Sequence, residues 1–465
     1  MGQTLKSKHY DVVVVGGGSA GVAAAISAKK LGANVLLIEA GPALGGELVS
    51  GLPIDGCLNS RGEWIVGGGA RGLFNDLDAA GGYIGPVFDW RLIWGVCLDP
   101  EMFKLVIVET ISKYQIPVLL YTFSEDVVVD NSGRVQGIIV VNKNGRTLIT
   151  ADVFVDCTGD GDVAMMAGAD FLHGGDNGEF QPVTLVFRMT NVDYKGYITH
   201  VRDHPEEFIL GESPVIDMTA EQCAKEIYNS GHPFAGISAS GPLLGRAIQS
   251  GEMFPCTAVY VWPTSVQRRE VGLNTTRIAN LDATDTENLS KALSTLTTQV
   301  NMAMRFLQTK VPGFESSYLS GVAPRIGIRE TRRILGEEVL ETEAVIAGEK
   351  REDGIAKGGH HVDIHGAGTS QKRIPVEEGK SYDIPYGTLI PRKLRNVLVA
   401  GRCISSTREA NGSVRVMGQC MATGEAAGAA AAIAVRNDLA DVRDVAISEL
   451  RHTLRDQGAV LDGTH

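Results

Sequence analysis

The sequence predicts an α/β protein whose chain leaves a parallel α/β unit for an antiparallel excursion and returns to it near the C-terminus. Three observations predict this. The first is residues 10–40, YDVVVVGGGSAGVAAAISAKKLGANVLLIEA. There the apolar run Tyr10–Val15 meets Gly16, Gly18 and Gly21, a helical pattern follows over Ala20–Leu31, and a second apolar run, Val35–Ile38, closes on Glu39. The second is a set of three extended runs, Glu125–Val129, Val135–Val141 and Thr147–Ala151. Asp130-Asn131-Ser132-Gly133 and Asn144-Gly145 join them, both good hairpin turns. The third is a late strand, Asn396–Ala400, ending in Gly401-Arg402 and followed by a small-residue helix over about Met417–Val435.

The opening unit has the parts of a dinucleotide site. Gly16 allows the sharp turn after the strand, Gly18 lets the backbone approach a pyrophosphate, and Gly21 lets helix and strand pack closely. The helix N-terminus offers free N–H groups and a positive dipole end to phosphates. Glu39 can accept both hydroxyls of an adenosine ribose. A glycine-rich turn in an ordinary α/β unit would not explain that acid, eighteen residues beyond Gly21.

Between these landmarks the elements follow in order. Residues 41–46 form a loop without bulk, and 47–99 are irregular and rich in glycine. Pro100–Tyr114 reads as a helix with Phe103, Val106, Ile107 and Ile111 on one face. Val118–Tyr121 is a short strand. After the meander come a buried strand, Val153–Cys157, and the turn Thr158-Gly159-Asp160-Gly161-Asp162. Residues 170–385 have a different character, with strands expected at Thr184–Met189, Val259–Trp262 and Glu270–Leu273 and helices over 219–229, 284–308 and 329–341. They read as a second domain. The last thirty residues read as an amphipathic helix.

Composition narrows the function. The 465 residues are 44% hydrophobic, which is ordinary for a globular chain with a large core. A formal net charge of −12 argues against nucleic acid as a main partner. No apolar stretch reaches membrane-spanning length, and MGQTLKSKH is too short and polar for a signal peptide. Seven dispersed cysteines, none in C-x-x-C, give no zinc, iron–sulfur or dithiol signature and suit a reducing cytoplasm.

Several longer motifs then carry a resemblance: GGGSAG with Glu39, DCTGDGDVAMMAGA at 156–169, QPVTLVFRM at 181–189, GIRETRRILGE at 327–337, VDIH at 362–365, DIPYGTLIP at 383–391 and VLVAGRCIS at 397–405. Together they resemble the bacterial FAD-dependent oxidoreductases of the glutathione-reductase-like flavoprotein type, over about residues 10–435. The resemblance implies a Rossmann-like FAD-binding domain carrying the three-stranded β-meander, with an inserted α+β substrate domain built on antiparallel sheet. The implied division is 1–165 and 385–436 for FAD, 166–384 for substrate, and 437–465 for a C-terminal helix. By the same resemblance Gly16, Gly18, Ser19, Ala20 and Gly21 hold the pyrophosphate and Glu39 the ribose. Gly45 and Gly46 run along the flavin, the Val127 backbone meets the adenine, and Gly159 closes near the dinucleotide. Gly401 and Arg402 lie along the ribityl chain, and the helix starting near Arg415 and Val416 points its N-terminus at the flavin. FAD is expected to be non-covalent, because residues 40–172 contain no histidine for attachment, and His173 follows the wrong element.

A second glycine fingerprint, Gly67, Gly69 and Gly72, lacks a following strand ending in an acid or arginine, so no nicotinamide site is expected. Flavin chemistry on carbon needs a proton handler. His360, His361 and His365 in GHHVDIH are the densest set, with His365 preferred. The flanking glycines read as a loop, and no third ligand supports a metal there. Arg329 is the candidate clamp for a substrate carboxylate, while Arg332 and Arg333 are expected to pair with Glu337 and Glu338 on a helix face. Tyr386 is a further candidate donor into the cleft, and Cys57 reads as a buried filler. Two function classes follow: hydride transfer at flavin N5 with a small organic substrate, or a flavoprotein subunit passing electrons to a partner. An external electron acceptor or donor is compatible with either, as is a homo-oligomer.

Overall fold

The computed structural model describes residues 6–465. Its first strand, β1 (Lys6–Val15), runs into helix α1 (Ser19–Lys30) and strand β2 (Val35–Ile38). Next come α2 (Gly68–Ala79), the hairpin β3 (Tyr83–Phe88) and β4 (Trp94–Leu98), and α3 (Pro100–Lys113), which Asp99 caps through the Glu101 and Met102 amides. Strands β5 (Val118–Leu119), β6 (Phe123–Val129), β7 (Val135–Asn142) and β8 (Gly145–Asp156) follow. The runs expected at Thr147–Ala151 and Val153–Cys157 are therefore one strand. No turn residue breaks Ala151-Asp152, and β1 pairs with β8 in one register from Lys6↔Thr147 to Val15↔Asp156.

The chain continues through α4 (Asp162–Met166), β9 (Phe171–His173), β10 (Phe187–Thr190), α5 (Tyr194–Asp203), β11 (Phe208–Ile209) and α6 (Ala220–Ser230). Helix α6 starts with a reciprocal Thr219–Gln222 capping box and stops at Gly231, in the left-handed region at φ 73°. Then come β12 (Ala235–Ser238), α7 (Pro242–Gln249), β13 (Ala258–Ser265), β14 (Glu270–Asn274), α8 (Thr286–Lys310) and β15 (Tyr318–Val322). These strands form a six-stranded antiparallel sheet in the order β11-β12-β13-β14-β10-β15. Its own core includes Phe187, Tyr197, Leu296 and Phe314.

The helix expected over 329–341 is absent. That stretch holds β16 (Arg332–Ile334), paired with β9. Three of its charges find partners on other elements, Arg332 on Asp162, Glu337 on Arg443 and Glu338 on Arg351, while Arg333 pairs locally with Glu330 rather than with Glu337 or Glu338. After α9 (Thr342–Ala347) and β17 (Gly354–Gly358), the GHHVDIH segment is a loop only over 359–361. It enters β18 (Val362–His365), which pairs with β19 (Gln371–Ile374). Strand β20 (Tyr382–Pro385) pairs with β17.

The chain then returns to the first sheet. Strand β21 (Val397–Val399) joins β8 in parallel, on the edge whose earlier half pairs with β7. The order is β5-β2-β1-β8-β7-β6, with β21 also on β8. Helices α10 (Arg408–Val414), α11 (Met417–Arg436) and α12 (Ile447–Asp456) end the fold.

Helix α11 crosses α1 at very short range. A Cβ on Gly424 would overlap the Ala20 carbonyl, and one on Gly428 the Ala24 carbonyl. Both obstacles are backbone and cannot swing aside. Gly428→Ala is therefore expected to destabilise the protein by about 1–3 kcal/mol. Gly72→Ala, in an exposed turn of α2 with open space around its Cβ, should be neutral or stabilising by up to about 1 kcal/mol. Thermal unfolding of the two variants measures this difference in sign.

Candidate active site

Two hollows adjoin, one at the end of the first sheet and one lined in part by the antiparallel sheet. The first is a groove of 490 Å³ at the mouth of β1, lined by Gly16, Gly18, Ser19 and Ala20, by Glu39, Gly46, Gly159, Gly401, Arg402 and Arg415, and by others. Gly16 sits at φ 97°, against the Cys157 carbonyl. Gly21 does not line the groove but packs on the Gly16 carbonyl, the close helix–strand contact its position predicts. Gly18 differs from both. Its φ of −78° suits any residue, and a Cβ there would meet nothing within 4 Å, so its backbone faces empty groove. The Glu39 carboxylate accepts the Gly17 amide at 2.7 Å and the Gly41 amide at 2.6 Å, one per oxygen, which fixes it at the groove wall with lone pairs to spare. Gly45 donates its amide to the Gly17 carbonyl at 2.7 Å, holding Gly46 at the rim. Opposite, Arg402 bonds Asp160 at 2.7 Å and Thr331 at 2.8 Å. Burial opposes charge on Asp160, yet Arg402 and Thr331 keep its carboxyl below the ordinary range.

Val127 is a correction. It lies inside β6 opposite Ile138, away from the groove, whose wall on that side is Thr122, Phe123 and Ser124, at the start of the strand. The exposed Phe123 ring there, like Arg325 across the groove, had no signal in the periodicity.

The second hollow is a 180 Å³ cleft that shares Glu47, Ile328, Arg402, Arg415 and Met417 with the groove. Val416, the N-cap of α11, lines it with Arg329, His360, His361 and His365. His365 Nε2 lies 2.7 Å from Asp363 Oδ2. Burial works against the Asp363 charge, but the His365 hydrogen bond and the Arg415 guanidinium hold the carboxyl well below its ordinary range. Burial keeps His365 below the ordinary imidazole value despite that carboxylate, with Arg329 and Arg415 adding to the effect. The ring is thus neutral at pH 7. With its Nε2–H given to Asp363, Nδ1 is a proton acceptor. His360 and His361 stack at 4.2 Å and are also neutral; burial pushes His360 down to about 4.

Three cleft residues escaped the sequence reading. Burial, reinforced by Asp89 and Asp363, pushes the half-buried Asp55 up to about 8, so it is a neutral acid at pH 7. Its Oδ1 is sealed and has no partner. Asp89 is buried, accepts the Arg91, Leu92 and Ile93 amides, and so fixes the Arg91 loop. Both acids and Arg91 lie in the glycine-rich stretch after 47, which has no periodicity to read.

Tyr386 is the other correction. Its hydroxyl donates to the Val442 carbonyl at 2.9 Å, the ring is buried in the core, and it lines neither hollow. Cys57 is fully buried, as are the other six cysteines, and none is bridged. The second glycine fingerprint is a filled helix terminus: Gly67 caps α2, and the Gly69 amide donates to Glu425 of α11 at 2.9 Å.

A glycine cradle, an acid at the end of the second strand and a connected cleft define a dinucleotide-binding redox protein. The chain belongs to the FAD dependent oxidoreductase family, whose sequence model matches residues 11–454. FAD is thus the cofactor, and the groove fits it: the open Gly18 backbone faces the space a pyrophosphate needs. An alignment of 196 positions, covering 37% of this chain, is 31% identical to the tRNA uridine 5-carboxymethylaminomethyl modification enzyme MnmG of Metamycoplasma arthritidis and covers 29% of it. A 48-residue stretch, 10% of the chain, is 52% identical to the NADH:fumarate oxidoreductase of Klebsiella pneumoniae and covers 5% of it. The chain therefore spans less than a third of either curated relative. Among solved structures, a geranylgeranyl bacteriochlorophyll reductase-like protein from Thermoplasma acidophilum aligns over 97% of this chain and 85% of its own at 14% identity and a TM-score of 0.45. The flavin-dependent brominase Bmp2 aligns over 97% and 83% at 13% and 0.46.

Gly18→Val separates folding from cofactor binding. Since the new side chain meets only groove, the variant should fold with unchanged far-UV circular dichroism yet purify colourless. A yellow variant with full flavin occupancy would place the cofactor elsewhere.

Proposed function

We propose that this protein transfers a hydride between FAD and a small organic substrate, as a dehydrogenase, oxidase or C=C reductase. In this reading residues 1–165 and 385–436 hold a non-covalent FAD, and 166–384 supply most of the substrate side. The observation that carries it is the junction of groove and cleft at Glu47, Arg402, Arg415 and Met417. A cofactor in the groove and a substrate in the cleft would meet there, beside the His365–Asp363 pair. FAD supplies the two-electron acceptor or donor. The protein supplies the rest. Asp363 orients His365, and Nδ1 takes the substrate's proton in oxidation or returns it in reduction. The N-terminal turn of α11 and the Arg415 guanidinium favour negative charge at the junction. Against covalent attachment, His173 is tied to Asp282 at 3.3 Å and does not line the groove. Electrons come from or go to an external partner, because the other glycine fingerprint is closed by Glu425.

Anaerobic screening of flavin reduction against a metabolite panel identifies the substrate. With it, His365→Ala should slow flavin reduction about a hundredfold or more while FAD stays bound. Because the folded-state pKa of His365 is depressed, the base stays neutral through pH 6.5, and the wild-type rate should fall only at lower pH. The same depression at His360, His361 and His365 means that these three side chains bind more protons in the unfolded chain just below pH 6.5, so their own contribution to stability declines there as pH drops, while Asp55, raised by burial, contributes with the opposite sign. Near-normal turnover in His365→Ala would move the proton role elsewhere, with Asp55 next to test.

A further inference from the structure

A small side cavity opens beside the cleft, between Arg329, which the sequence marked, and Arg277, which it did not. It measures 20 Å³, room for about one water-sized group, for which about 10–15 Å³ is needed. Arg277 and Arg329 line it together with Asn274, Thr275 and His365. Arg329, His365 and Asn274 also line the cleft, so the two spaces adjoin.

The charges here are unbalanced. Other buried or half-buried arginines around the site have carboxylates in contact: Arg91 with Glu212 at 2.9 Å, Arg402 with Asp160 at 2.7 Å, Arg333 with Glu330 at 3.1 Å, and Arg415 with Asp363 at 3.9 Å. Among the described residues, Arg277 and Arg329 have no carboxylate within the 4.0 Å that defines those pairs. Arg329 Nη1 donates to the Pro182 carbonyl at 2.6 Å. Arg277 donates to the Thr257 hydroxyl at 3.3 Å and the Gly366 carbonyl at 2.5 Å, and its buried Nε has no partner. The Thr275 hydroxyl, also buried, has none either.

The acids facing the pair are few. Asp363 acts on both arginines, and Glu47 on Arg329. Asp363 is already engaged by His365 and by Gln371 at 2.6 Å, and Glu47 faces Arg325 at 3.7 Å. Burial lowers both guanidinium pKa values, Arg329 to about 10 with Arg415 and Arg277 adding to it. Two half-buried cations with spare donors are costly to leave unpaired, and an anion between them offsets that cost.

We propose that the substrate carries a carboxylate, one oxygen of which enters this side cavity between Arg277 and Arg329, leaving the rest of the molecule in the cleft beside His365. The inference rests on the cleft being the substrate site. The cavity admits a single oxygen, and planar guanidinium forks suit a planar carboxylate better than a tetrahedral phosphate. Arg277 thus becomes a specificity-determining residue, and the reaction is directed at a carbon close to a carboxylate.

The test uses the FAD-loaded protein in chloride-free buffer, with acetate and pyruvate as probes and acetamide and inorganic phosphate as controls. Calorimetry and the flavin absorbance band are read together. Acetate and pyruvate should bind and perturb the band, acetamide and phosphate should not, and Arg277→Gln should weaken carboxylate binding at least tenfold with unchanged circular dichroism. If that variant does not fold, Arg277→Lys keeps the charge, loses the fork, and should still bind more weakly than the wild type. Equal binding of acetamide, preference for phosphate, or unchanged affinity in the Arg277 variants would overturn the subsite. The outcome is separable from the hydride-transfer reading. Carboxylate binding without flavin reduction by any carboxylic acid would sink the latter alone. Reduction by an uncharged substrate with a KM indifferent to Arg277 would sink the subsite alone.

Discussion

The contact on which the site depends is the backbone-level crossing of α1 and α11. Ala20 and Ala24 on one helix meet Gly424 and Gly428 on the other with no side chain between them. This crossing, together with β21 on β8, fastens residues from the far end of the chain onto the glycine unit at its beginning. The N-termini of both helices consequently open on one groove, α1 through Gly18 and Ser19, α11 through Arg415 and Met417. A single bulky residue at the crossing would push the second helix outward and separate the groove from the cleft.

The cleft is organised by opposite treatment of similar groups. Asp55 and Asp363 are both carboxylic acids in one hollow. Burial next to other acids keeps Asp55 protonated, while histidine and arginine neighbours keep Asp363 ionised. Environments that push two acids apart in this way commonly mark acid and base roles. The histidines, left neutral by burial, add no positive charge. The cleft's cationic character therefore comes from its arginines.

Much of the fold was legible because it rests on short-range pattern. The strand–glycine–helix–strand opening, α3, α6, α8, the meander and α11 all follow from period and turn chemistry. What misled was tertiary. ETRRILGEE has helix-forming residues and charges at helical spacing, yet Arg332, Glu337 and Glu338 each bind a residue on another element, and the segment extends to reach them. The glycines flanking HHVDIH suggested a loop, but a partner strand at Gln371–Ile374 makes it a hairpin. At the site, residues inside motifs could be named in advance, although Val127 and Tyr386 belong to strand and core rather than to either hollow. Asp55, Arg91 and Arg277 could not be named, because each is one polar residue in a stretch with no motif and meets its neighbours only through long-range packing.

The central claim is that one cofactor seat is built from both ends of the chain. Hydrogen exchange of the protein with FAD bound and with FAD removed tests it most directly. The account predicts slowed exchange on FAD binding in two separate places, the amides after Gly18 at the start of α1 and those after Val416 at the start of α11. Protection confined to the first, with the second unchanged, would contradict it.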